Sequence, residues 1–182
     1  MSNAIPGYQA GTWTIDPVHS EIGFTARHMM VSRVRGRFTT FEGSFTTEED
    51  PLKSSVTATA DLSSIVTGNE QRDGHLRSSD FFDVESHPTM TFVSTGVRPD
   101  GDDYLLDGDL TIRGATHPVT FKLELGGFGP DAYGGTRAGF TATGEINRKD
   151  FNVNFNAPMQ NGGVVVSDKI GLHLEIEAVL EA

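Results

Sequence analysis

Apolar and polar positions alternate along most of this chain, in short runs bounded by turn residues. Ile22-Gly23-Phe24-Thr25-Ala26, Phe38-Thr39-Thr40-Phe41, Val119-Thr120-Phe121-Lys122-Leu123 and Phe151-Asn152-Val153-Asn154-Phe155 all carry aromatics at strand spacing. The clearest run sets Ile170, Leu172, Leu174 and Ile176 on one side and Gly171, His173, Glu175 and Glu177 on the other. A period of two marks strands with one apolar and one polar face. The pattern predicts strands at 12–16, 19–29, 34–47, 54–62, 89–97, 103–113, 117–128, 136–147 and 168–181. Pro99-Asp100-Gly101-Asp102 and Asn147-Arg148-Lys149-Asp150 read as hairpin turns. Gly126-Gly127-Phe128-Gly129-Pro130 with Gly134-Gly135 reads as a longer loop, and Asn161-Gly162-Gly163 as another.

One segment departs from this period. Thr67-Gly68-Asn69-Glu70 matches a capping box, and Gln71 to Arg77 is polar enough for a short surface helix. Gly74 weakens it. Ser78-Ser79-Asp80 then leads into Phe81-Phe82, a turn that tucks aromatics under a lid. Residues 1–11, interrupted by Pro6, Gly7 and Gly11, read as a flexible N-terminal arm, and 12–182 as a single domain. About eight antiparallel strands with a helical insert after the fourth fit an up-and-down barrel, with a two-sheet sandwich as the rival. The 21 glycines suit a barrel, which bends its strands.

Composition narrows the functions. The chain of 182 residues has no cysteine, so disulfides, thiolate metal sites and a cysteine nucleophile are excluded. Its net charge of −11 disfavours nucleic acid or an anionic membrane as the main partner, because both need clustered Lys and Arg. The N-terminus has no basic, apolar leader pattern, and no run of about 18 apolar residues is present. These features lead to the expectation of a cytoplasmic protein with no transmembrane segment.

The candidate chemistry is sparse. Asp16-Pro17-Val18-His19-Ser20 holds an acid, a base and a hydroxyl within five residues. Groups of a hydrolytic triad converge from separated elements, so the expectation here is a turn in which Asp16 and Ser20 satisfy backbone groups. The six histidines form neither His-x-His nor His-Glu-x-x-His, and no phosphate-binding glycine loop follows a strand. His28 shares strand parity with Phe24 and Ala26, which would make it a polar group in an apolar channel. Arg72, Asp73 and His75 either pin the helix to the barrel or grip a polar head at its mouth, with pinning favoured.

Several blocks taken together resemble one family. Trp13-x-Ile15-Asp16-x-x-His19-Ser20, Phe24-x-x-x-His28 and Arg35-Gly36-x-Phe38-x-x-Phe41-x-Gly43 are similar to the opening of the YceI-like family. Arg72-Asp73-x-His75-Leu76 with Phe81-Phe82-Asp83 resembles its middle signature. Gly108-Asp109-Leu110-Thr111-Ile112-Arg113-Gly114 and Arg148-x-Asp150-Phe151 resemble its later ones. The similarity spans roughly residues 12–181. Some relatives carry Gly where this chain has Asn152.

The resemblance implies an all-β fold, an extended eight-stranded antiparallel barrel of lipocalin type with a short helical insert. It also implies a polyisoprenoid ligand, such as a prenyl quinone or phenol, held in the interior. Transport or storage of that lipid is the leading expectation, with no further cofactor and no metal expected. Related proteins often form homodimers. The inward candidates for the ligand-binding wall are Phe24, His28, Phe38, Phe41, Phe45, Leu62, Ile65, Leu76, Phe81, Phe82, Phe92, Leu110, Phe121 and Phe140. Two alternatives stay open. One is an enzyme acting on such a lipid through His19, His28 or Asp16; the other is a packed structural barrel without a ligand. No catalytic residue is assigned.

Overall fold

The computed structural model describes residues 5–29, 31–156 and 166–181. Its strands are β1 (Gly11–Ile15), β2 (Glu21–His28), β3 (Ser32–Phe38), β4 (Phe41–Thr47), β5 (Ser55–Asp61), β6 (Ile65–Val66), β7 (Thr89–Asp100), β8 (Asp103–Ile112), β9 (Ala115–Pro130), β10 (Thr136–Asn147) and β11 (Lys169–Leu180). One helix, α1 (Glu70–Arg77), lies between β6 and β7. No helix among the described residues is long and apolar enough to cross a membrane.

These segments make a closed antiparallel barrel of eight strands, because three strands are broken midway. β1 and β2 both run along β11, with Ile15 opposite Ala178 and Glu21 opposite Glu175. β4 and β3 run along β1 and β2 in the same way, and β5 and β6 along β4 and β3. From β5 the order is β7, β8, β9, β10, β11, and the pairing of β1 with β11 closes the ring. Closure leaves few free strand edges.

Several local features differ from the sequence expectation. The strand expected at 34–47 is two, β3 and β4, because the chain turns at Thr39 and Thr40 to run along β1 instead of β2, and the Phe151–Phe155 alternation is not a strand. The helix is capped by Asn69, whose side chain accepts from Arg72 N at 3.0 Å. Thr67 instead binds Asp73, so the capping box is not used. Residues 126–130 are strand, because β9 continues to Pro130. There a bulge against Gly139 and Phe140 is accommodated by Gly126, which lies against the Gly139 backbone. Asn147–Asp150 is no hairpin turn either. Asn147 accepts from Lys149 N at 3.0 Å and opens a 3-10 turn, Arg148–Phe151, that begins a long connection to β11. The loop predicted at Asn161-Gly162-Gly163 lies outside the described residues.

The apolar face of every strand turns inward. A main core includes Ile15, Phe38, Phe41, Leu62, Ile65, Phe81, Leu110 and Phe121, and a second surrounds Trp13 with Ala138 and Ala178. Trp13 is fully buried, stacks on Phe45 and donates from Nε1 to Thr47 Oγ1 at 2.8 Å. Two interior glycines matter for the shape. The Phe24 ring lies on Gly36 of the adjacent strand, and the Phe92 ring lies on Gly108. Each ring lies along the wall where a side chain would otherwise push it into the lumen.

A methyl group at Gly108 would overlap the Phe92 ring and also stand 2.7 Å from Val93 O, a backbone atom that cannot swing away. We therefore expect Gly108→Ala to destabilise the fold by about 1–3 kcal/mol, the range for overpacked cores. Urea unfolding checks this, and an unchanged midpoint would refute the ring-on-glycine account.

Candidate functional site

The barrel encloses a cavity of about 300 Å³. Its wall is built by the inward positions of every barrel strand: Ile22, Phe24 and Ala26 of β2, Phe38 of β3, Phe41 and Phe45 of β4, Met90 and Phe92 of β7, and Leu106 and Leu110 of β8. Phe121, Leu123 and Leu125 of β9, Phe140 and Ala142 of β10, and Ile170, Leu172, Leu174 and Ile176 of β11 complete it. The alternating run at the end of the sequence thus puts all four of its apolar members on the wall.

The two ends of the barrel are closed differently. At one end, residues 5–10 cross the opening. Ile5 and Tyr8 border the cavity, and the Tyr8 ring meets Phe128 edge-on at 5.3 Å. Tyr8 Oη donates to Glu48 O, and Thr47 Oγ1 donates to Gln9 O at 2.7 Å. At the other end, α1 and the turn after it place Leu76, Phe81 and Phe82 against the cavity. The His75 ring contacts Phe81 and Phe155, and His75 Nε2 lies 2.8 Å from Asp80.

Arg148 braces this second end. Its side chain is buried, and its guanidinium donates to the carbonyls of Ser167, Val153, Phe155 and Val166. Burial pushes its pKa down, opposed by Asp168 at 3.7 Å. Asn152 follows in a left-handed conformation, with φ 62°, and donates to Arg113 O. Asparagine, like glycine, tolerates that conformation.

Twelve of the expected wall residues border the cavity: Phe24, Phe38, Phe41, Phe45, Ile65, Leu76, Phe81, Phe82, Phe92, Leu110, Phe121 and Phe140. Leu62 is fully buried in the core behind the wall. His28 ends β2, and its side chain lies outside the described part. The expectation missed Ile15, Ile22, Met90, Leu106, Leu123 and Phe128. Strand parity with a neighbouring phenylalanine would have found several of them; concentrating on aromatics hid them.

Asp16, His19 and Ser20 do not assemble a triad. Ser20 Oγ donates to Glu177 O and accepts from Glu177 N, at 3.1 and 3.0 Å. Asp16 accepts from Val18 N, contacts His19 Nδ1 at 2.7 Å, and pairs with Arg137 at 2.9 Å. Arg137 also grips Glu177 and Asp131. The group joins the break between β1 and β2 to β10 and β11. Arg72 binds Thr67 through Nε and Nη2, both at 2.7 Å, and buried Asp73 accepts from Thr67 N, so these residues pin the helix.

A closed eight-stranded antiparallel barrel around one apolar cavity defines a lipocalin-like protein. The YceI-like domain family matches residues 13–178, and the chain belongs to that family. Protein YceI of Escherichia coli is 44% identical over 136 residues, covering 74% of this chain and 71% of that protein. The crystal structure of Burkholderia cenocepacia BcnA superimposes with a TM-score of 0.78 at 23% identity, covering 90% of this chain and 98% of BcnA. A polyisoprenoid binding domain from Saccharophagus degradans superimposes with a TM-score of 0.69 at 14% identity, covering 95% of this chain and all (100%) of that domain.

Hydrogen bonds from His19 and Arg137 hold the Asp16 carboxyl at about 2, below its ordinary 3.8. Arg98 and Thr120 do the same for Asp107, also at about 2. A depressed carboxyl adds stability above its unfolded value, and that contribution is lost as pH falls through the folded value. The window is therefore between about pH 4 and pH 2. We expect Asp16→Asn to lower the melting temperature at neutral pH, with wild type and variant converging as the pH approaches 2. Thermal melts across that range check this; an equal gap at every pH would show that the charge is not the cause.

Proposed function

We propose that this protein binds an isoprenoid or similar long-chain lipid in its barrel, as a carrier or store rather than an enzyme. The observation that carries the reading is the chemistry of the cavity wall. It is almost wholly hydrocarbon, and among the described residues no buried side-chain polar atom lacks a partner. Among the described residues its buried cation is Arg148, held by backbone carbonyls, and Glu42 is exposed on β4. A ligand here gains by leaving water along its length, not by buried polar handles. A slim branched hydrocarbon chain suits that wall, and the polyisoprenoid binding domain with the same fold supports the choice. A polar head of the prenyl quinone or phenol type would sit at a barrel end, outside the wall. The tied-down Ser20 and Asp16 support a non-catalytic role.

Native mass spectra of protein purified without detergent, before and after solvent extraction, test the reading. The expected result is a bound mass that extracts as a prenyl lipid. An empty protein that also refuses added prenyl lipids would overturn it. Each buried methylene contributes about 0.8 kcal/mol before ordering costs, so affinity should rise with the number of isoprene units until the cavity is full. Titration with prenols of increasing length measures this, and equal affinity for short and long chains would count against a ligand lying along the cavity.

A further inference from the structure

The outer face of the β2–β3 hairpin is strongly basic in an otherwise acidic protein. Arg27 on β2 stands directly opposite Arg33 on β3, Thr25 opposite Arg35, and Gly23 opposite Arg37. All four arginines are exposed. Arg37 lies 3.8 Å from Glu21, whereas Arg27, Arg33 and Arg35 have no ion-pair partner among the described residues. The acidic residue on these two strands is Glu21, at the far end, where it faces Glu175 of β11. Charge therefore runs from acidic to basic along the hairpin toward its tip.

The tip itself is apolar. Met29 is 42% exposed and Val31 is 84% exposed. Met29 adopts a left-handed backbone with φ 52°, where glycine or asparagine is the ordinary choice. The turn thus holds an exposed methionine at a conformational cost. Arg27 facing Arg33 is a second cost, because like charges directly across a strand pair repel. Charges on β3 also blunt a free edge, since among the described residues its outer side is paired only at Arg37 and Phe38. Edge protection explains neither Arg27 nor the apolar tip.

We propose that this hairpin docks the barrel on an anionic phospholipid surface, with Met29 and Val31 entering the interface and Arg27, Arg33 and Arg35 engaging lipid phosphates. Guanidinium groups match phosphate oxygens in a bidentate fork, and basic residues beside an interfacial apolar tip are the pattern of peripheral membrane attachment. A nucleic acid fits less well, since among the described residues the patch has no exposed Phe, Tyr or Trp for base stacking. The net charge of −11 does not oppose docking strongly, because at physiological ionic strength charges beyond about 8 Å are screened. Carboxylates at the same end are partly neutralised: Asp168 by Arg148 and Lys149, Glu70 by Arg77. The opposite side of the same strands carries Phe24, Ala26 and Phe38 of the cavity wall, so docking would bring the cavity to the bilayer.

Vesicle flotation tests the proposal, comparing phosphatidylcholine alone with phosphatidylcholine containing phosphatidylglycerol. The expected result is binding to the anionic vesicles only, falling as salt rises. Replacing Arg27, Arg33 and Arg35 together with Gln should weaken it on the order of 100-fold, at about fivefold per arginine. Met29→Ser with Val31→Ser should weaken it while keeping the salt dependence. Uptake of the fluorophore N-phenyl-1-naphthylamine by the cavity should be unchanged in both variants, which separates docking from folding and from cavity binding. The single Arg33→Gln variant gives the same reading with less perturbation. No binding to anionic vesicles, binding undiminished by the arginine replacements, or tighter binding to single-stranded DNA than to vesicles would overturn the proposal.

Discussion

The cavity exists because large interior rings lie along the wall instead of across it. Eleven of the twelve phenylalanines border the cavity, and side chains can fill the interior of an eight-stranded barrel. Phe24 and Phe92 instead lie over Gly36 and Gly108 on the neighbouring strands, where no side chain competes for the space. Other rings meet edge to face, as Phe92 does with Phe121 at 5.4 Å and Phe45 with Phe140 at 5.3 Å. Such contacts lock the rings to one another and resist collapse into the lumen. The space left is lined almost wholly by hydrocarbon.

The two barrel ends solve the closing problem with different chemistry. The helix end uses a buried cation, with Arg148 tying together the carbonyls of the connection between β10 and β11. Removing that side chain would leave the buried Val153 carbonyl, and the part-buried carbonyls of Ser167 and Phe155, without this donor. The other end uses a strap, residues 5–10, joined to the barrel by Tyr8, Gln9 and Thr47. Trp13 links that strap to the sheet, because its indole and the Gln9 carbonyl meet at the same Thr47 hydroxyl. Polar groups at both ends are thus occupied with structure, leaving the interior to hydrocarbon.

Charge behaves differently at two scales. The chain average of −11 speaks against anionic partners. Local order changes the picture. Arg33, Arg35 and Arg37 alternate along β3, so all three leave the same face, and hairpin pairing adds Arg27 beside them. A cluster forms that no average reports, because screening makes the field near a surface a local property.

Much of the fold was legible in the sequence because a strand's period of two records which side faces the core. Ile170, Leu172, Leu174 and Ile176 announced a wall strand, and most of the phenylalanine positions on the wall followed from the same parity. Pro99–Asp102 announced its hairpin, with Gly101 at φ 62°. The limits of β9 were not legible, since Gly126 and Gly127 read as loop until Gly139 is placed beside Gly126 to form a bulge. The cap at Asn69 was hidden because Thr67 also fits the motif, and only the buried Asp73 takes Thr67 away from it. Alternation by itself thus determined strands, faces and the apolar character of the interior. Tertiary structure alone decided that the interior stays open, that Leu62 sits behind the wall, and that four arginines share one surface, because these depend on distances between strands far apart in the chain.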